Sequence, residues 1–174
     1  MKKMTLVLTL LLVGCLASVA QVKVKTGSLS VLGGEKQIGV SLDLTTTVYK
    51  KDEPLDAFLI IDNRAKDWEK LSLDCFVASF NKIAARVGLK SVSDSTAGKY
   101  NLVIAPTNVR HNGSLKGIAY LKEVGSADQP KIIMDFSTDD GDDDDEITFR
   151  DPLRELGENM AKLFVKEIKK ARKQ

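Results

Sequence analysis

Tyr100-Asn101-Leu102-Val103-Ile104-Ala105, followed by Asn112-Gly113, then Leu115 to Val124 and Ile132 to Phe136, is the stretch that decides the fold. Leu102 to Ile104 is a nearly continuous apolar run of strand type. Asn112-Gly113 is a hairpin signal, because both residues tolerate the positive φ that a tight β-turn needs. Leu115 to Val124 returns as a second strand, Gly125 to Pro130 turns the chain, and Ile132 to Phe136 is a third. The three strands predict a meander.

Outward from this meander lie two helices. Before it, Leu73, Phe76, Val77, Phe80, Ile83, Ala84 and Val87 recur at steps of three and four. They give a helix over 68–87 with one apolar face, and Gly88 is its natural stop. After it, Asp151-Pro152 reads as a capped helix start. Leu153, Leu156, Met160, Leu163, Phe164 and Ile168 trace the apolar face of that helix. Gly157 sits inside it, against helix propensity, and so predicts close packing at that point. The basic residues Lys166, Lys169, Lys170, Arg172 and Lys173 fall at its carboxyl end and complement the helix dipole. A basic patch facing a membrane surface is the alternative reading of the same residues.

Further upstream, Ile38, Val40, Leu42 and Leu44 alternate with Gly39, Ser41 and Asp43, which is the period of a half-buried strand. Ser28 to Leu32 is read as a short strand paired with it through a Gly33-Gly34 hairpin turn. Gln21 to Gly27 is read as a tether. Asp52-Glu53-Pro54 is a helix-start signal leading into Leu55, Phe58 and Leu59, with a strand over Phe58 to Ile61 as its rival. Ile147 to Phe149 is read as a brief strand. Two amphipathic helices need a sheet face to cover. The expected fold class is therefore α+β: a two-layer α/β sandwich, with a largely antiparallel sheet and two amphipathic helices on one face.

The first twenty residues read as a signal peptide, leaving 21–174 as a single domain. Lys2 and Lys3 form a positive start, Met4 to Leu12 is apolar, and Ser18 and Ala20 supply the small side chains of a cleavage site after Ala20. The apolar run is too short for a membrane span, which takes roughly 20 residues. Leu12-Val13-Gly14-Cys15 also matches a lipobox, which would make Cys15 a lipidated first residue and the protein an outer-membrane lipoprotein. Both routes imply export, to the periplasm or to a lipid anchor, and no second long apolar run follows. If Cys15 leaves with the leader, Cys75 stands alone, without an internal disulfide. Its place in an apolar helical pattern reads as a small buried hydrophobe.

Charge excludes one class of partner. Lysine and arginine total 26 against 24 acids, and loss of Lys2 and Lys3 brings the two to equality. Nucleic-acid binding needs a basic excess that this chain lacks. The charge is segregated along the chain, however: Asp135 to Glu146 carries eight acids and no base, whereas Lys162 to Lys173 is basic.

The acidic loop, residues 135–146, is the strongest chemical candidate, because calcium takes several hard oxygen ligands. An EF-hand frame from Asp135 fails: Asp140 stands where the turn needs glycine, Gly141 comes one residue late, and the flanks are strands. What remains is a non-standard calcium loop formed by Asp139, Asp142, Asp143, Asp144 and Glu146, or a solvated loop extended by self-repulsion. His111, the single histidine, lies beside a turn and has no partner set for zinc or for general-base work. Trp68 reads as packing at a helix start. No phosphate-binding glycine loop is present.

Gly33-Gly34-Glu35-Lys36-Gln37-Ile38, running into a strand that contains Asp43, resembles the start of a group of uncharacterised exported proteins of Bacteroidota. Ala20-Gln21 and the following Val22-Lys23-Val24-Lys25 are similar to that group as well. The order of elements resembles small envelope α/β domains such as the TolB amino-terminal domain, a likeness of fold that fixes no function. The expectation is an exported envelope protein that binds a protein or envelope component without catalysis. A calcium-binding protein and a hydrolase using acidic residues are the alternatives.

Overall fold

The computed structural model describes residues 21–49, 53–55, 68–110, 112–139 and 149–173. Strand β6 (Tyr100–Val109) is the axis of the sheet. Strands β7 (Leu115–Glu123) and β8 (Ile132–Ser137) follow as the expected antiparallel meander, with Leu102 opposite Leu121 and Ala119 opposite Met134. At the hairpin, Asn112 Oδ1 accepts from Ser114 N at 3.2 Å, and Gly113 takes φ 80°. The Asn-Gly signal therefore works through the side chain of one residue and the conformational freedom of the other.

Strand β1 (Gln21–Thr26) pairs antiparallel with β8, Val22 opposite Phe136. On the other side of β6, β2 (Gln37–Leu42) runs parallel to it, Val40 opposite Leu102, and β5 (Lys90–Val92) runs parallel to β2. Short β3 (Val48–Tyr49) joins the far end of β6 and pairs with β4 (Glu53–Pro54). The order is β1-β8-β7-β6-β2-β5. The sheet is mixed, with its longest ladder antiparallel, and the α+β class holds.

Helices α1 (Trp68–Ala84) and α2 (Arg150–Ala171) cover one face. The core between the layers is built from Ile38, Val40, Leu102, Ile104, Ala119, Leu121, Met134 and Phe136 below, and from Phe76, Phe80, Leu156, Met160 and Phe164 above. Trp68 meets Phe149 at 5.3 Å and Phe80 meets Phe164 at 5.4 Å between ring centroids. Early residues meet early and late meet late, so the helices run parallel. Between these contacts Gly157 lies against α1, where a Cβ would come 2.6 Å from the Phe76 carbonyl oxygen. This is the close packing the glycine predicts. Among the described residues, every buried residue of the core lies between Leu29 and Ile168.

Several local expectations are corrected. Residues 21–26 are an edge strand, not a tether, because Val22 and Val24 pack against the core while Lys23 and Lys25 face out. Ser28 to Leu32 is not a strand: Leu29–Leu32 forms a 3-10 turn capped by the Ser28 side chain, with Leu29 and Leu32 both buried. The Gly33-Gly34 turn therefore closes no hairpin, and β2 finds parallel partners. Glu53–Pro54 is a short strand and Leu55, directly after it, is helical; the rest of the helix or strand expected there lies outside the described residues. Phe149 takes φ 55° at the start of α2, a left-handed turn that no strand adopts, while 147–148 lie outside the described residues. Asp151 is not the cap of α2; it lies in the first turn and accepts from Arg154 Nε at 3.1 Å. Cys75 is half-buried, not buried.

Two contacts fix the ends of the layers. The segment from Ser93 to Lys99, joining β5 to β6, crosses the sheet face opposite the helices at Gly39. A Cβ on Gly39 would press on the Asp94 carbonyl and come 3.1 Å from the Ser95 carbonyl carbon. At the other side of the domain, Arg172 after α2 donates from Nε to Gly33 O at 3.0 Å and from Nη1 to Val87 O at 2.9 Å. One guanidinium thus ties both helix ends to the turn that leads into β2.

Candidate functional site

Strand β2 ends at Leu42, opposite Ile104, while its parallel neighbour β6 runs on to Val109 beside β3, so the chain from Asp43 to Thr47 forms a loop at the carboxyl end of β2. Asp43 is the first residue past β2. Its backbone N–H donates to Ile104 O at 2.8 Å, carrying the ladder one step further. Its Oδ1 then accepts from Thr45 N at 3.1 Å and Thr45 Oγ1 at 2.7 Å. This is an Asx turn, in which a side-chain oxygen substitutes for a backbone carbonyl. Asp94 and Thr96 build the same turn elsewhere, at 2.8 and 2.7 Å. Thr47 closes the segment: its N–H donates to Leu44 O at 3.0 Å and its buried hydroxyl to Pro106 O at 2.7 Å.

The fixed loop walls a cleft of about 480 Å³. Leu42, Leu44 and Leu55 give it apolar sides, and Thr45, Thr47 and two carboxylates, Asp43 and Glu69, give it polar ones. Glu69 is in the first turn of α1. The Thr45 hydroxyl, then the Thr45 N–H, hold the Asp43 carboxyl below the usual aspartate range, burial opposes this weakly, and Lys122 adds to it. Burial and the Asp43 charge raise the Tyr120 phenol above its usual value. A carboxyl held low does not deliver a proton at neutral pH, so Asp43 has the chemistry of an acceptor. The cleft can take a cationic group at Asp43 and bury an apolar stem against the leucines.

Of the residues the sequence singles out, Asp139 lies just past β8. Its backbone N–H donates to Glu155 Oε2 of α2 at 3.0 Å. Asp142, Asp143, Asp144 and Glu146, as well as Cys15 and His111, lie outside the described residues. Among the described residues no group of three or more histidine, cysteine or acidic side chains is placed to hold a metal ion. Trp68 packs edge-on to Phe149, as a helix-start packing residue does. The cleft itself was not legible beforehand. Its one local signal is Asp43-Leu44-Thr45, the spacing of an Asx turn; Glu69 arrives only through the tertiary fold.

No family profile matches the chain, and no curated protein matches it. Among solved structures it is similar to the PelC dodecamer from Paraburkholderia phytofirmans, at 11% identity and a TM-score of 0.40, over 79% of this chain and 97% of that one. A second PelC dodecamer structure, of a variant from the same organism, gives a TM-score of 0.38 at 11% identity. No helix among the described residues is long and apolar enough to cross a membrane.

Proposed function

We propose that this chain is an exported envelope protein whose folded part is a non-catalytic binding module, and that the Asp43 cleft holds its partner. The leader supports export, either to the periplasm after cleavage at Ala20 or to a lipid anchor at Cys15. The observation that carries the binding reading is the pairing of an ionised, immobilised carboxylate with a leucine-sided cleft at the carboxyl end of β2. That combination suits a basic side chain with an apolar stem, presented by a protein or by an envelope component. Nothing in the described residues favours the calcium reading over this one.

The test is crosslinking and co-purification of the tagged, exported protein from its own envelope, with calcium present and absent, beside the Asp43→Asn variant. The expected result is one partner in constant proportion, reduced severalfold in Asp43→Asn and indifferent to calcium. Capture that Asp43→Asn leaves unchanged would contradict the cleft, and capture only with calcium would return the function to the acidic loop.

A further inference from the structure

Because α1 and α2 run parallel, their carboxyl ends meet at one pole, the end of the domain opposite the Asp43 cleft. Arg172 marks the meeting point through its bonds to Gly33 O and Val87 O. Helix α1 and the turn after it bring Lys82 and Arg86 there; α2 brings Lys169 and Lys170, and the turn after it Lys173. Lys36 and Lys90 join from the strand entries, held together by a Lys90 N to Lys36 O bond of 2.9 Å. All these side chains are exposed. In the contributing segments, 33–36, 82–90 and 166–173, Glu35 and Glu167 are the only acids. None of these cations has an ion pair among the described residues.

Helix dipoles account for cations in the last turns of α1 and α2. They do not account for Lys36 and Lys90, which are on no helix, or for the crowding of like charges from three separate segments. The pole also has apolar features. Val31, in the 3-10 turn beside α2, is 40% exposed. A cleft of about 370 Å³ opens between the end of α1 and β5, with Ala85 and Leu89 in its wall and Lys90 at its side. Lysine predominates over arginine, and lysine's compact, mobile charge suits a layer of headgroups better than the fixed fork that one bidentate anion would need.

We infer that this basic pole, with Val31 and the apolar cleft beside β5, is a docking surface for an anionic lipid bilayer. Headgroups meet the lysines while Val31 and the cleft take up apolar contact just beneath them. The surface is independent of the Asp43 cleft and stands whether or not that cleft binds a partner.

The test uses the chain from Gln21 onward, which holds every core residue among the described residues and lacks Cys15. Sedimentation is measured with phosphatidylcholine vesicles, alone and with roughly one third phosphatidylglycerol. Binding is expected to the anionic vesicles only, and to fall as salt rises. Neutralising Lys169, Lys170 and Lys173 together to glutamine should weaken partition on the order of a hundredfold, about fivefold for each lysine. Neutralising Lys23, Lys70 and Lys116, exposed residues away from this pole, removes the same charge and should cost only a few-fold. Val31→Ser should weaken binding severalfold without changing its salt dependence. Equal binding to neutral vesicles, or equal losses in the two lysine triples, would overturn the proposal. So would an unchanged Val31→Ser variant, or binding to soluble polyglutamate but not to anionic vesicles.

Discussion

Gly157 of α2 faces the carbonyl of Phe76 on α1 so closely that a Cβ at position 157 would stand 2.6 Å from that oxygen and would overlap the Ser79 hydroxyl. The Ser79 hydroxyl itself donates to Phe76 O at 3.0 Å. Parallel packing of the two helices therefore depends on a missing methyl group.

Gly157→Ala sets two effects against each other. Alanine favours an exposed helix by about 1 kcal/mol. The overlap is with backbone, which moves only if the helices separate, and overpacking of this kind costs about 1–3 kcal/mol. The steric effect is expected to win, with thermal unfolding lowered by several degrees in a melt of the purified variant.

Gly39→Ala tests the crossing of the sheet face by residues 93–99. A methyl group at Gly39 would strike the Asp94 carbonyl and the Ser95 carbonyl carbon. The expected loss is about 2 kcal/mol. Hydrogen exchange should localise it to the β5–β6 connection; uniform loss across the sheet would argue against a local clash.

Arg172→Met keeps the stem and removes both hydrogen bonds. Water can replace the donor at Gly33, whereas Val87 O sits in a partly buried contact. A loss of about 1 kcal/mol is expected in urea titration. Arg172→Lys should recover little of it, because one ammonium does not reproduce the fork that reaches two carbonyls.

Asp43 gives the fold an acid-side dependence whose sign is fixed. Its folded pKa is depressed, chiefly by the Thr45 hydroxyl. The linked stability is complete above the unfolded value of about 4 and is lost as pH falls through the folded value. Asp43→Asn should flatten the melting temperature against pH on the acid side of about pH 4. A slope identical to that of the parent would show that the Thr45 contacts do not favour the ionised form.

The parts of the fold set by local chemistry were legible in the sequence. Asn112-Gly113 fixed the β6–β7 hairpin, Gly88 ended the first helical segment in a left-handed residue, and Gly157 marked a contact. What failed depended on partners distant in the chain. The alternation of Ile38 and Val40 describes a strand with one buried face whether its neighbours run parallel or antiparallel, so the hairpin expected at Gly33-Gly34 had no basis in that pattern. Leu29 and Leu32, three apart and both buried, carried the spacing of a helical turn, which the alternating serines concealed. Val22 and Val24 did alternate with Lys23 and Lys25, the pattern of a lysine-guarded edge strand. At the site, Asp43 and Thr45 share a local turn, whereas Glu69 reaches the cleft only because α1 begins beside the end of β2, and Leu55 only from its place directly after β4.

The Asp43 cleft is proposed to hold a partner in the envelope. Site-specific photocrosslinking in intact cells tests it most directly, with the reactive group placed in turn at Leu44 in the cleft, Ile118 on the sheet face opposite the helices and Lys162 on α2. A single discrete adduct from position 44, absent from position 162 and lost on adding Asp43→Asn, is the predicted result. Adducts from position 118 alone, or none from position 44, would contradict the claim and move the binding surface off the cleft.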